Sequence, residues 1–211
     1  MTTTQQLIEA AQQGYLEEVL RLIPLSDPKQ DNSEALAQAA RHGHLDCVQA
    51  LIPVSDPHAD NSFALWIAAC LGHSDCVAQL IGVSGVKDGA CRALNVAARN
   101  GHVECIRLLL PHHSQKQRLD AVSGPLLGNH VEGMKELVAG LKETSALLAY
   151  FRQALYEHKL DIADVLFDAM PEYITSSMEI DYPEYCARKQ KMILEQHVGA
   201  NAALQRNQRK L

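Results

Sequence analysis

The sequence contains His-x-x-Cys three times: His44 with Cys47, His73 with Cys76 and His102 with Cys105. An imidazole and a thiol three residues apart share one face of a helix. There they could supply two zinc ligands, or a general base beside a nucleophile. The copies stand 29 residues apart, which places them at equivalent points of a repeated unit. Equivalent residues of stacked helical units lie about 10 Å apart, whereas zinc holds its ligands at roughly 2.0–2.3 Å, so one metal cannot join two units. A disulfide within the column fails for the same reason, because its Cα atoms must lie within about 7 Å. Each cysteine therefore reads as a small apolar core residue, and each histidine as a hydrogen-bond partner of backbone near a helix start. Asp27, Asp31, Asp56 and Asp60 lack the closely alternating ligands and the glycine of a calcium loop and read as turn and capping residues. The sequence holds no glycine-rich phosphate loop, nucleophile elbow or zinc-protease motif. No catalytic residue, metal site or cofactor is assigned, and the enzymatic or metal-binding alternative rests on cysteine and histidine in the atypical C-terminal part.

The elements that would position these residues repeat. LIPLSDPKQDNS at 22–33 and LIPVSDPHADNS at 51–62 agree at nine of twelve positions. Around them run EAAQQGYLEEVLRLIP, QAARHGHLDCVQALIP, IAACLGHSDCVAQLIG and VAARNGHVECIRLLLP, with Gly14, Gly43, Gly72 and Gly101 at a constant step of 29. Two weaker copies place Asn129 and His158 at the glycine position, so about six units fill residues 1–170. Residues 171–211 form a separate C-terminal loop and basic amphipathic helix.

Each unit reads as two short helices. Leu36, Ala39 and Ala40 make a narrow stripe of small residues that lets a neighbouring backbone come close, and Gly43 ends that helix in the left-handed conformation. Asn129 suits the same role and His158 suits it poorly. Cys47, Val48, Leu51 and Ile52 form the apolar stripe of the second helix, which Pro53 stops. Ser55, Asp56 and Pro57 then form a turn, and Asp60, Asn61 or Ser62 caps the next helix. Helices this short cannot bury their stripes alone, so the pairs must stack into an all-α solenoid with short connecting turns.

Composition agrees with such a chain. It has 211 residues, 47% of them apolar, enough for a real core. The net charge of -6 argues against a nucleic-acid partner. Six cysteines without CxxC pairs fit a reducing, cytoplasmic compartment. No secretion signal and no membrane span is legible, so stable membrane insertion is not expected.

On these residues the sequence resembles the ankyrin repeat family, whose unit runs roughly T-P-L-H-L-A-A-x-x-G-H-x-x-x-V-x-x-L-L. ALAQAARHGHLDCVQALI and ALNVAARNGHVECIRLLL supply its Leu, Ala-Ala, Gly-His and Val-x-x-Leu positions. The family unit of about 33 residues includes a projecting hairpin; a 29-residue unit implies that the hairpin is shortened to a turn. The Thr-Pro start is replaced by Glu34-Ala35, Phe63-Ala64 and Arg92-Ala93.

The resemblance implies a non-enzymatic protein-protein interaction scaffold whose first helices line a concave face. Residues carried to that face are Arg41, His42, Phe63, Trp66, Cys70, Leu71, Arg92, Asn95, Arg99 and Asn100, with Ala37 and Glu34 at equivalent places. Trp66 flanked by Arg41, Arg92 and Arg99 suits an acidic or amphipathic peptide of a partner protein. The near-identical linkers resemble those of ankyrin proteins that bacteria or large viruses deliver into host cells as effectors. A monomer is expected; a self-associating structural protein is the other alternative.

In the C-terminal stretch Cys186, Ile193, His197, Ala200 and Leu204 recur at helical spacing, interrupted at Gly199. From Glu184 on, six cations stand against two carboxylates. The simpler expectation is a helix covering the last unit; the sharper one is a basic arm for an acidic partner or anionic membrane.

Overall fold

A computed structural model of the chain describes residues 2–84, 89–142, 145–170 and 181–208; the side chains of 89–91 and 196–208 lie outside the description. Two layers of helices run side by side. The inner layer consists of α1 (Thr3–Gln13), α3 (Gln30–Arg41), α5 (Ala59–Leu71), α7 (Gly89–Asn100), α10 (Ser123–Gly128) and α12 (Leu147–Tyr156). The outer layer consists of α2 (Leu16–Leu22), α4 (Leu45–Leu51), α6 (Ser74–Ile81), α8 (Val103–Leu109), α11 (Val131–Val138) and α13 (Leu160–Asp168). Each helix packs on its predecessor in the same layer and on its partner in the same unit. A short helix, α9 (Gln115–Asp120), precedes α10, and α14 (Pro183–Gln208) ends the chain. No strand occurs among the described residues, as expected of an all-α solenoid whose hairpins have become turns.

The packing follows residue size. In the inner layer Ala35, Leu36, Ala39 and Ala40 are buried, as are Ala64, Leu65, Ala68 and Ala69, and then Ala93, Leu94, Ala97 and Ala98. Paired alanines allow inner helices to approach closely while one leucine per unit fills the core. In the outer layer Cys47, Val48 and Leu51 are buried, and so are their equivalents Cys76, Val77, Leu80 and Cys105, Ile106, Leu109. These side chains form one continuous core along the stack. Between α7 and α10 the approach is close: a Cβ on Gly124 would meet the backbone nitrogen of Arg99 at 2.8 Å.

All six turn positions are left-handed, with φ of 74° at Gly14, 72° at Gly43, 79° at Gly72, 76° at Gly101 and 57° at both Asn129 and His158. His158 holds this conformation against its own preference. The neighbouring Lys159 anchors it, donating from Nζ to the Leu126 carbonyl at 2.6 Å.

The linkers correct one expectation. Asp31, Asn32 and Ser33, and again Asp60, Asn61 and Ser62, provide no helix cap; each trio is a left-handed kink, with φ between 47° and 59°, inside the first turn of α3 and of α5. Neither α3 nor α5 has a side-chain cap. The Ser33 hydroxyl has another task, accepting the Asp56 N–H of the next linker at 2.8 Å, and Thr4 accepts that of Asp27 at 3.4 Å. Asp27 and Asp56 do close their turns as expected, each carboxylate accepting the N–H two residues on. A side-chain cap stands at α1, where Thr2 and Gln5 form a reciprocal pair with the backbone.

At the other end α14 begins at Pro183 and continues through Gly199 without the expected interruption. The loop residues 171–180 lie outside the described residues. Tyr185 and Cys186 are buried, and Tyr185 meets Phe151 and Phe167 at ring distances of 5.2 and 5.4 Å. Its hydroxyl donates to Asp164 at 2.7 Å, beside Arg188 at 2.8 Å from the same oxygen, while Lys189 reaches Asp168 at 3.0 Å. The start of α14 therefore covers the last unit, and two cations of the expected basic arm are spent on that contact.

Candidate partner-binding surface

Every side chain carried to the concave face lies on three adjacent inner helices or their ends: Arg41 and His42 at α3, Phe63, Trp66, Cys70 and Leu71 on α5, and Arg92, Asn95, Arg99 and Asn100 on α7. Trp66 is half-buried and packs against the core. Phe63, one turn earlier, stacks on it with centroids 5.5 Å apart and planes at 27°. From α7 the Arg92 guanidinium lies over the indole, 5.7 Å from its centroid. A guanidinium on an aromatic face keeps its N–H edge free for a carboxylate.

Arg41, Arg92 and Arg99 are exposed, and none forms an ion pair with a described residue. Glu34 on the same face is engaged by Gln38 at 2.6 Å. Asn100 is committed to structure: its amide donates to the Cys70 carbonyl at 2.8 Å and tightens α7 onto α5. Ala37 is buried and takes no part in the exposed face, because an alanine at that place sits below its larger neighbours.

Two exposed residues on the same face escaped sequence reasoning. Leu127 is 59% exposed and Tyr156 is 86% exposed. Each stands two residues before its turn residue, the place held by Arg41 and Arg99 in earlier units. The 28- and 29-residue steps to the weak units carry that signal.

The histidine and cysteine columns serve the stack. Nε2 of His44, His73 and His102 donates to the carbonyls of Gln12, Arg41 and Cys70 in the preceding unit, each at 3.0 Å. Burial pushes the Cys76 and Cys105 thiols up to about 11 and raises that of Cys47, the adjacent carboxylates adding to the shift. A protonated buried thiol is a poor nucleophile. Among the described residues no three His, Cys, Asp or Glu side chains converge as metal ligands. No described helix is long and apolar enough to cross a membrane.

A family model described as ankyrin repeats (3 copies) matches residues 7–90 and 55–123, together more than half of the chain. The chain belongs to the ankyrin repeat family. Among solved structures, the ankyrin chain resembles the crystal structure of the human ASB11 ankyrin repeat domain. The TM-score is 0.61 and the identity 22%, over 77% of this chain and 82% of that one. At this identity the likeness shows the fold. No curated protein matches the sequence. Ankyrin repeats are protein-protein interaction modules, which makes a protein the expected class of partner.

Proposed function

We propose that the chain is a non-enzymatic scaffold that binds a partner protein on its concave face. The observation that carries this reading is the half-exposed Phe63, Trp66 and Arg92 stack, set beside Arg41 and Arg99, which are exposed and form no ion pair with a described residue. Aromatic and arginine side chains dominate interfaces because they gain most on desolvation. The binding surface comprises Arg41, His42, Phe63, Trp66, Cys70, Leu71, Arg92, Asn95, Arg99 and Asn100, with Asn100 in a positioning role. The free thiols of Cys47, Cys70, Cys76 and Cys105 support a reducing compartment. The duplicated linkers support a recent expansion of the kind found in proteins delivered into host cells.

The test is affinity capture with the wild type, Trp66→Ala plus Arg99→Glu, and an outer-face control, Arg107→Glu. Partners lost only from the concave-face variant, with helicity unchanged in all three, uphold the reading. Partners retained by that variant and lost from the control move the site to the outer layer.

A further inference from the structure

The concave face is a ruler as well as a patch. Two residues before each left-handed turn stand Gln12, Arg41, Cys70, Arg99, Leu127 and Tyr156, one at the end of each inner helix. Their backbones are equivalent: the carbonyls of Gln12, Arg41 and Cys70 accept from the histidine of the next unit, and that of Leu127 accepts from Lys159 at 3.4 Å. The row thus presents exposed guanidiniums at its second and fourth places and exposed apolar groups at its fifth and sixth. Neither Leu127 nor Tyr156 packs on the core.

Neighbouring inner helices stack at about 10 Å, so Arg41 and Arg99, two helices apart, are separated by roughly 20 Å. An extended chain advances about 3.3 Å per residue and crosses that gap in about six residues. Leu127 and Tyr156 follow at further steps of about three residues each. A helical occupant, rising about 1.5 Å per residue, would need about thirteen residues between the two arginines.

We propose that the occupant is an extended acidic segment of a partner protein, laid across the ends of the inner helices. Two of its carboxylates, about six residues apart, meet Arg41 and Arg99. One or two large apolar side chains, at steps of about three residues beyond the second carboxylate, rest on Leu127 and Tyr156. Charge complementarity selects acidic over basic. Arg41, Arg92 and Arg99 are exposed and form no ion pair with a described residue, so three cations stand against the Glu34 carboxylate, while Glu157 is paired with Lys159 at 2.6 Å. A lysine-rich segment would meet like charge at both ends of the arginine span. The proposal rests on the concave face being the binding surface.

The test is selection of random eighteen-residue displayed peptides on the full chain. A consensus peptide is then measured on the wild type, Arg41→Glu plus Arg99→Glu, Trp66→Ala, and Leu127→Ala plus Tyr156→Ala. The expected consensus carries two Asp or Glu about six residues apart followed by a large apolar residue. Its affinity falls at least about ten-fold on the arginine variant and weakens with salt. A consensus without acidic preference, or with the thirteen-residue spacing, overturns the proposed occupant; if Trp66→Ala still abolishes that binding, the concave-face reading stands. Peptides that bind all four proteins alike, or no enrichment at all, overturn both.

Discussion

His73 donates its Nε2 proton to the carbonyl of Arg41 at 3.0 Å while its ring lies over the α-carbon of Gly43. His44 does the same to Gln12 and Gly14, and His102 to Cys70 and Gly72. The Gly-His pair of each unit therefore belongs to two joints: its glycine receives the imidazole of the following unit, and its histidine reaches the preceding one. The carbonyl can only accept, so Nε2 carries a proton in each of these rings. The glycine answers two demands at once, a positive φ and the absence of a Cβ that would stand 2.7 Å from the His73 ring.

Three glycines separate these demands. Gly140 has φ 72° with nothing near its missing Cβ, and Gly82 is right-handed with open space. Gly140→Ala should cost about 1–2 kcal/mol from backbone conformation alone. Gly43→Ala should cost about 1–3 kcal/mol more, because the imidazole must leave its carbonyl. Gly82→Ala should be neutral or stabilise by up to about 1 kcal/mol. Urea unfolding of the three variants checks the order, and Gly43→Ala in a His73→Ala background should recover the steric part.

The step of 29 made the units, the turn positions and the small-residue inner faces legible, since each is a local pattern repeated. The reach of His73 to Arg41 was not, because it joins residues 32 apart across a packing interface and leaves no periodicity of its own. Asp60, Asn61 and Ser62 misled for a related reason: the residue types that favour helix caps also tolerate left-handed turns, and only the neighbouring linker decides between them. On the candidate surface, the aromatic and arginine positions were legible from register. Leu127 and Tyr156 were not, since their units depart from the repeat.

Buried thiols give the stability a pH dependence. Cys76 and Cys105 keep their protons up to about pH 11 in the fold, whereas an unfolded thiol releases its proton near 9.0. Above pH 9 the unfolded chain binds fewer protons than the native one, so stability falls as pH rises from about 9 towards 11. Tyr185, raised by burial and by its bond to Asp164, adds to the fall above about pH 10. The urea midpoint measured from pH 8 to pH 11 should decline over this window, and Cys76→Ala with Cys105→Ala should flatten the decline. At pH 8 iodoacetamide should modify half-buried Cys70 before Cys47, Cys76 or Cys105.

Asp164 holds the C-terminal helix to the stack. It accepts from the Tyr185 hydroxyl and from Arg188, and its removal leaves a buried hydroxyl and a half-buried cation without that partner. Asp164→Ala should destabilise by about 1–3 kcal/mol and speed proteolysis near Pro183, while the concave surface stays folded. Asp164→Asn keeps an acceptor for the hydroxyl and should cost about half as much. Limited proteolysis with mass readout distinguishes loosening of α14 from global unfolding.

The paired left-handed turns offer the opposite kind of change. Asn61 has φ 54° in a run of three left-handed residues, a conformation that costs an L-residue roughly 1–2 kcal/mol and glycine almost nothing. Glycine also makes the unfolded chain more flexible, which offsets up to about 1 kcal/mol of that gain. Asn61→Gly should therefore raise stability slightly, by about 0–1 kcal/mol. Asn61→Val should lower it by about 2 kcal/mol or more, because a β-branched side chain tolerates positive φ least. Ser33→Ala tests the other half of the device: it leaves the Asp56 N–H without its hydroxyl acceptor and should cost about 1–2 kcal/mol. If thermal melts show Asn61→Val no worse than Asn61→Gly, the Asn61 turn is not left-handed in solution, and a Ser33→Ala chain that melts like the wild type would remove the Ser33 clamp.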